Sequence, residues 1–181
     1  MDHNIMLESP RLVMREWTPD DAHFLYELNL DPEVIRYTGD APFGSETESR
    51  NFIMAYDHYR RWGYGRWLCV EKNTGQAVGW CGLKNQVEEL GIVDLGYRFS
   101  RNHWGKGFAT EAAREVIRFG FEKLGIPVIT ARVAIGNDAS VAVIMKCGMK
   151  KIKEDLCEHH PANWYALEKT AWERIPNART I

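Results

Sequence analysis

The chain has 181 residues, of which 45% are hydrophobic and 27% charged, and its formal net charge is −2 at pH 7. This composition is ordinary for a globular protein and excludes a disordered or collagen-like chain. The near balance of charge argues against a general affinity for nucleic acid, which needs a basic face. No run approaches the ~18 apolar residues of a membrane span, and the first residues lack the features of a signal peptide. We therefore expect one cytoplasmic domain over residues 1–181, with no membrane or nucleic-acid partner.

Cysteine and histidine give little sign of disulfide or metal chemistry. The four cysteines show no C-x-x-C spacing and most have apolar neighbours, so we expect reduced, packed thiols. Cys157, His159 and His160 are clustered, but with no partner pair elsewhere they would form a weak metal site. We expect a solvated loop there and no bound metal.

The first third of the chain predicts a strand followed by helices. Residues 7–15 alternate apolar and charged side chains, which predicts one strand. The sequence Thr-Pro-Asp-Asp at 18–21 predicts a helix start, and this helix should reach about Asn29. Residues 31–37 predict a short second helix, and the capping box at 45–48 opens a third helix that should end near Trp62. Their aromatic side chains are expected to pack in the core, and the loop at 39–44 is expected to be a surface turn.

The middle of the chain predicts a mixed sheet. Residues 66–71 and 77–83 flank an Asn-Thr-Gly-Gln turn and should form a hairpin, beside which 91–99 adds a further strand. An amphipathic run ending near Leu124 follows, and the β-branched segment 127–134 should return parallel to the strand at 91–99. On that helix we expect the charged side chains to face solvent: Glu111, Arg114, Glu115, Arg118 and Glu122.

The stretch 100–112, SRNHWGKGFATEA, should turn a strand into a helix. Gly105 and Gly107 permit a tight turn and a close approach of the backbone to a ligand. The first turn of the helix adds unpaired N–H groups and a positive dipole end, which suit a phosphate or pyrophosphate. The Walker pattern fails, because the Gly-Lys pair is followed by Gly107. The dinucleotide pattern G-x-G-x-x-G/A fails too, because Thr110 stands in its third place.

The loop Trp104-Gly-Lys-Gly-Phe-Ala109 resembles the acyl-CoA pyrophosphate loop of the GNAT acetyltransferase superfamily, [QR]-x-x-G-x-[GA]. Tryptophan in the [QR] place, and an opening strand of the form Glu8-Ser-Pro-Arg11-Leu-Val-Met-Arg15, are similar to the RimJ/RimL ribosomal-protein N-terminal acetyltransferases. The resemblance implies an α/β (α+β) GNAT fold. This fold has a mixed, mostly antiparallel sheet of about six to seven strands, helices on both faces and a splayed parallel strand pair.

A second segment, from Asn137 to Met149, resembles the other GNAT signature, N-x-x-[AS]-x-x-x-[Y]-x-K-x-G-[FM]. The resemblance implies that the pantetheine arm of acetyl-CoA pairs with the backbone of Tyr97, Arg98 and Phe99 and that Asn137 bonds one of its amides. The residues that it implies for coenzyme binding are these three with Trp104, Gly105, Lys106, Gly107, Phe108, Ala109, Thr110, Asn137 and Ser140.

The resemblance does not assign the catalytic acid directly, because Ile144 occupies the place where many superfamily members have a tyrosine that protonates the leaving thiolate. Ser140 is the first candidate for this role, and Tyr165 in the last predicted strand is the second. The candidate bases are Asp94 and, as alternatives, Glu88 or Glu89. Cys147 has no histidine spaced to activate it, so we discount an acetyl-cysteine route.

The resemblance implies an acetyl-CoA-dependent N-acetyltransferase that acylates a primary amine by direct attack in a ternary complex. The amine could belong to a protein N-terminus or to a small molecule. The alternative is a non-catalytic acyl-CoA-binding sensor, which the isoleucine at 144 favours. A homodimer is common in this branch and is left open here as a partner.

Overall fold

The computed structural model describes residues 5–157 and 160–176, which contain a single mixed sheet of eight strands. Its spatial order is β1-β2-β3-β4-β5-β6-β8-β7, and every neighbouring pair is antiparallel except β5 and β6. The predicted mixed sheet with one parallel pair is confirmed, with eight strands where six to seven were expected. The strands are β1 Ile5–Glu8, β2 Leu12–Arg15, β3 Arg66–Glu71, β4 Ala77–Gln86, β5 Ile92–Phe99, β6 Val128–Ala134, β7 Lys150–Cys157 and β8 His160–Glu168.

Helices cover both faces of this sheet, as predicted. One face packs against the long helix after the glycine loop and the helix that follows β6, whereas the other packs against the helices between β2 and β3. The α-helices are α1 Ala22–Leu30, α2 Pro32–Ile35, α3 Glu46–Ala55, α4 His58–Trp62, α5 Val87–Leu90, α6 Phe108–Glu122, α7 Asp138–Lys146 and α8 Lys169–Trp172.

The predicted single strand over 7–15 is wrong, because the segment folds back on itself as the β1–β2 hairpin. Ser9 is buried, its N–H donates to the carbonyl of Leu12 at 2.9 Å, and its hydroxyl donates to Glu111 at 2.7 Å. Pro10 lies in the turn, where its missing N–H costs no ladder hydrogen bond. The turn is therefore anchored to the first turn of α6.

The predicted helix from 45 to about 62 is interrupted and forms α3 and α4. Ser45 caps α3 as expected, since its hydroxyl accepts from the N–H of Glu48 at 3.2 Å. The break after Ala55 brings two tyrosines to the start of β3. Tyr56 accepts from the backbone N–H of Arg66 at 2.8 Å, and Tyr59 donates to the carbonyl of the same residue.

The main core lies between the sheet and α6. Ala112, Ala113, Val116, Ile117 and Phe121 of this helix are almost fully buried, and Phe119 packs edge-on against Trp67. The expectation that all the helix's charged residues face solvent is wrong for Glu115, which is only 3% exposed. Its burial is possible because Arg118 pairs with it one turn later.

The parallel pair β5 and β6 meets at one register position only, Asp94 opposite Thr130. The hydroxyl of Thr130 donates to the carbonyl of Val93 at 3.0 Å and ties the strands together there. Beyond this point β5 continues to Phe99 and β6 to Ala134 without a further paired register position. The strands therefore splay, and the sheet has a gap between its two halves.

Candidate active site

A cleft of about 1170 Å³ occupies the gap between β5 and β6. Its walls are residues 94–98 of β5, residues 131–134 of β6, the start of α7, and the helical segment on the other face of the sheet. This volume exceeds the roughly 300–1,000 Å³ usual for a ligand pocket and is large enough for more than one reactant group. The loop at 39–44, expected to be an ordinary surface turn, contributes Gly39, Asp40, Ala41 and Phe43 to the wall.

The three β5 residues assigned to the pantetheine arm differ in their position. Tyr97 and Arg98 line the cleft, whereas Phe99 lies beyond its end and is 5% exposed. The carbonyl of Phe99 already accepts a hydrogen bond from the indole N–H of Trp104 at 2.7 Å. Trp104 thus fastens the loop to the end of β5, while nearly half of the side chain stays exposed.

The glycine loop adopts the conformation that the sequence requires of it. Gly105 and Gly107 have φ angles of 73° and 84°, in the left-handed region that favours glycine. Gly107 is the N-cap of α6, so the unpaired N–H groups of the first helical turn begin directly after it. Of the other loop residues assigned to the coenzyme, Phe108 buries its side chain in the core, and Ala109 and Thr110 are half-buried. Their donors to a ligand would be the backbone N–H groups and the Thr110 hydroxyl.

Arg11 braces this loop, a role that its position in a predicted strand did not reveal. Its Nη1 donates to the carbonyl of Lys106 at 2.9 Å, and its guanidinium lies 4.5 Å from the ring centre of Phe108. Its Nε donates to Glu111 at 2.7 Å, and the same carboxylate accepts from the backbone N–H of Arg11 at 2.8 Å. Burial alone would raise the pKa of Glu111, but the bonds from Ser9 and Arg11 outweigh it and lower the pKa.

Asn137 and Ser140 lie together at the start of α7. The side-chain oxygen of Asn137 accepts from the N–H of Ser140 at 3.1 Å and caps the helix, which leaves the amide NH₂ as its group for a ligand. Ser140 is half-buried and lines the cleft. The hydroxyl of Tyr97 donates to the Ser140 carbonyl at 3.1 Å, so this side chain, to which the sequence assigned only a backbone role, positions the serine.

The other candidates for the acid and the nucleophile lie deeper. Tyr165 is 4% exposed, belongs to the core beneath α6 and is not among the cleft-lining residues. Ile144, in the place of the absent tyrosine, is fully buried with its side chain against the cleft. Burial raises the pKa of the Cys147 thiol to about 12, which makes it a poor nucleophile.

Among the candidate bases, Asp94 is the one that lines the cleft. It lies where the strands begin to part, and Arg132 on β6 donates to both of its oxygens at 3.2 and 3.3 Å. Burial raises the pKa of Asp94 even though Arg132 opposes the shift. Glu88 and Glu89 are exposed in α5, outside the cleft lining.

Within residues 5–157 and 160–176, no group of three or more His, Cys, Asp or Glu side chains is placed to hold a metal ion. Cys157 and His160 both line the cleft, and His159 lies outside the described residues. Cys69, Cys81 and Cys147 are buried thiols outside any disulfide.

Known proteins share this architecture and the sequence that builds it. A sequence model described as "Acetyltransferase (GNAT) domain" matches residues 11–150. The chain belongs to the GNAT acetyltransferase family. It is 33% identical over 146 residues to the uncharacterized N-acetyltransferase p20 of Bacillus licheniformis, a match that covers 80% of this chain and 82% of the relative.

Solved structures of the family have the same fold. A GNAT-family acetyltransferase from Bacillus anthracis superposes with a TM-score of 0.79 at 22% identity, covering 91% of this chain and 98% of the other. The spermidine N-acetyltransferase of Vibrio cholerae, solved with CoA and spermine, gives a TM-score of 0.77 at 18% identity and covers 91% and 99% of the two chains.

The family assignment makes this chain an acetyl-CoA-dependent N-acetyltransferase. The closer kinship with the RimJ/RimL enzymes stays a prediction. Within the part of the chain that the structure describes, no helix combines the length and apolar character needed to cross a bilayer.

Proposed function

We propose that this enzyme transfers the acetyl group of acetyl-CoA directly to a primary amine, within a ternary complex and in the cytoplasm. The observation that carries the proposal is the splay of β5 from β6 after Asp94 and Thr130, which opens one cleft between the two faces of the sheet. A thioester held in the gap can be approached by an amine from the face of the sheet that packs against α1–α4, while its sulfur faces α7 on the other side.

The residues present fit the coenzyme. Beyond Asp94, the edge of β5 that faces β6 carries no further ladder pair, so the backbone of Tyr97 and Arg98 is available to the two amides of a pantetheine arm. The phosphates would lie against the N–H groups of the loop from Trp104 to Thr110, as an anion does at a helix N-terminus. Phe99 would close the slot at its far end, and the Asn137 amide would donate from the opposite wall.

Ser140 is our candidate for stabilising the departing sulfur, because it lines the cleft and its backbone is fixed by Asn137 and Tyr97. In the reaction the amine nitrogen bonds to the acetyl carbonyl carbon and the C–S bond breaks. One proton moves, in net terms, from the amine nitrogen to the sulfur. We assign removal of the amine proton to Asp94, whose raised pKa brings it closer to that of a base working near neutral pH.

The first test is acetyl-CoA-dependent thiol release with separate pools of N-terminal peptides, amino acids, amino sugars and polyamines. Ser140→Ala is expected to lower kcat by tenfold or more while the affinity for acetyl-CoA changes less than twofold, because the lost bond forms only as charge develops on sulfur. Tyr165→Phe, the matched hydroxyl removal outside the cleft, should leave kcat unchanged. The opposite pattern would transfer the role to Tyr165.

The sensor alternative rests on Ile144, which cannot donate a proton. It predicts acetyl-CoA binding without thiol release in any pool. Release in one pool excludes it, and failure to bind acetyl-CoA would exclude both functions.

A further inference from the structure

The side of the cleft that faces α1–α4 is rich in positive charge. Antiparallel register puts directly opposed residues on one face of a sheet, and Arg66 opposes Gly82, which opposes Gly96. Alternation along the strands then places a set of charged cleft residues on that same face: Arg66, Lys84, Asp94, Arg98 and Arg132. The segment between β2 and β3, which contains α1–α4, adds Arg36, Asp40 and His58 to the cleft wall.

Most of these charges have partners. Arg98 pairs with Asp40 and also donates to Asn29, while Arg132 pairs with Asp94. Arg36, whose side chain is more than half exposed, lies 3.5 Å from the carboxylate of Glu33, a residue that does not line the cleft. Burial lowers the pKa of His58, which favours its neutral form near pH 7.

Arg66 and Lys84 remain. Among residues 5–157 and 160–176 neither has a carboxylate within 4.0 Å, and the Nε of Arg66 is buried without a hydrogen-bond partner. Both acidic residues of the described lining are occupied by other arginines. The side of the cleft that faces α1–α4 therefore carries an unbalanced positive charge.

Arg66 is held in place for a ligand. Its backbone is fixed on both sides by Tyr56 and Tyr59, and its guanidinium lies 4.6 Å from the ring centre of Trp80. Gly96 lies beside it without a side chain to cover it, since a Cβ at that position would be in ordinary van der Waals contact with the Nη2 atom at 3.4 Å. A planar guanidinium stacked on an aromatic ring presents a fixed fork of donors, which matches a carboxylate or a phosphate.

The coenzyme phosphates are not the partner that this charge requires. They are assigned to the loop after Phe99, at the end of β5, whereas Arg66 lies level with Gly96 on the face turned toward α1–α4. This face is the one from which we expect the amine to enter. The group that meets Arg66 must then belong to the acceptor.

We propose that the acceptor is a primary amine that also carries an anionic group, a carboxylate or a phosphate, and that Arg66 binds this group with help from Lys84. The inference rests on the proposed function and narrows its acceptor. A polyamine or an aminoglycoside brings several positive charges into a cleft that is already positive, and like charges brought together at a binding site weaken binding.

The test uses acceptor pairs that differ only in the anionic group: glycine against glycinamide, glucosamine 6-phosphate against glucosamine, and O-phosphoethanolamine against ethanolamine, with spermidine as the polycation. We expect the anionic member of at least one pair to have a kcat/KM at least tenfold higher than its neutral partner. Whether that pair contains a carboxylate or a phosphate identifies the group. A neutral or polycationic acceptor that outperforms every anionic one overturns the proposal and leaves the acetyltransferase function intact.

The residue assignment is tested in the same assay. Arg66→Met keeps the length of the side chain and should reduce the preference for the anionic acceptor, the ratio of kcat/KM between the members of a pair, at least tenfold, chiefly through the KM of the anionic acceptor. The ratio is the readout because the Arg66 charge also acts on Asp94, which both acceptors share. Arg60→Met, an exposed arginine on α4 outside the cleft, is the matched control and should leave this ratio unchanged. An unchanged preference in Arg66→Met overturns the assignment. The melting temperature and acetyl-CoA affinity of each variant show that it is folded, and Lys84→Met provides a second variant if Arg66→Met is not.

A binding measurement covers the case in which acetyl-CoA binds and no acceptor is turned over. Calorimetric titration of the CoA-saturated protein with glycine, glucosamine 6-phosphate and O-phosphoethanolamine should detect binding of at least one that Arg66→Met abolishes. Absence of binding by all three overturns the proposal. Failure of the protein to bind acetyl-CoA would instead refute the proposed function.

Discussion

Replacing Arg11 with methionine should weaken the binding of acetyl-CoA, although Arg11 need not touch the coenzyme. The substitution keeps most of the aliphatic stem and the backbone hydrogen bond to Glu111. It removes the donor to the Lys106 carbonyl, the side-chain bond to Glu111 and the guanidinium over Phe108. All three contacts hold the glycine loop against the β1–β2 turn.

The size of the effect follows from the exposure of these contacts. The side chain of Arg11 is 43% exposed, so its pair with Glu111 contributes less than about 1 kcal/mol. The bond to the Lys106 carbonyl adds about 1 kcal/mol, and the contact with Phe108 adds about 0.5 kcal/mol. The three contacts together contribute about 2 kcal/mol. Where about 1.4 kcal/mol of this total stabilises the ordered loop, its loss would raise the Kd for acetyl-CoA tenfold.

The assay is calorimetric titration of acetyl-CoA into the wild type and Arg11→Met, with kcat measured at saturating coenzyme. We expect Kd to rise about tenfold and kcat to change little, since we propose that the thioester binds at the other end of the slot. Arg61→Met is the control, because Arg61 also stacks on an aromatic ring, Trp62, and pairs with Asp57, far along the chain from the loop. A folded Arg11→Met protein with a Kd within twofold of the wild type would refute the argument.

Three further predictions test the loop, the base and the fold. Gly107→Ala and Gly75→Ala both force alanine into the left-handed region, which costs about 1–2 kcal/mol of folding stability, but only Gly107 caps α6, so only Gly107→Ala should raise the Kd for acetyl-CoA. Equal Kd values for the two variants would show that the loop does not bind the coenzyme. Asp94→Asn should remove the acidic limb of the pH profile of kcat/KM, because the ionised form is the base and its fraction falls with pH through the raised pKa; a persisting limb would exclude Asp94. Burial alone would raise the pKa of Asp21, but its two 2.7 Å hydrogen bonds from Arg15, with those from Thr18, lower it. Asp21→Asn should therefore reduce the free energy of unfolding by about 2 kcal/mol above pH 4, and urea titrations should show this difference shrinking as the pH falls through the lowered pKa.

Local signals in the sequence predicted the elements whose residues decide their own conformation. The alternation in β3, β4 and β5, the glycines at 105 and 107 and the Asn137 cap all appear where the pattern placed them. Two errors in element boundaries came from contacts made far along the chain. The β1–β2 turn depends on a hydrogen bond between Ser9 and Glu111, and the break between α3 and α4 places tyrosines against Arg66.

The same distinction holds for the site. The glycine loop and the second signature are each one short run of residues, so a resemblance could propose them as coenzyme-binding segments. The contacts of Arg11 and Tyr97 join side chains to other elements, and a single sequence contains no pattern that pairs Arg11 with Lys106 or Tyr97 with Ser140. The role that we propose for Arg66 likewise depends on its neighbours in the fold. The burial of Tyr165 was equally unreadable, because alternation in a strand shows which residues share a face but not which face is open.

The splay between β5 and β6 would allow the proposed acid, Ser140, and the proposed base, Asp94, to act on one substrate without touching each other. Asp94 belongs to the face of the sheet that carries Arg66 and Arg98, whereas Ser140 belongs to α7, which packs on the α6 side. In a closed sheet the ladder itself would separate them. Because the ladder stops at Asp94, a carbonyl carbon bound in the gap would lie between the two groups, and under our proposal the amine would arrive from one face and the thiol would leave toward the other. A substitution that extended the β5–β6 ladder would therefore be expected to abolish turnover even if every candidate side chain were kept.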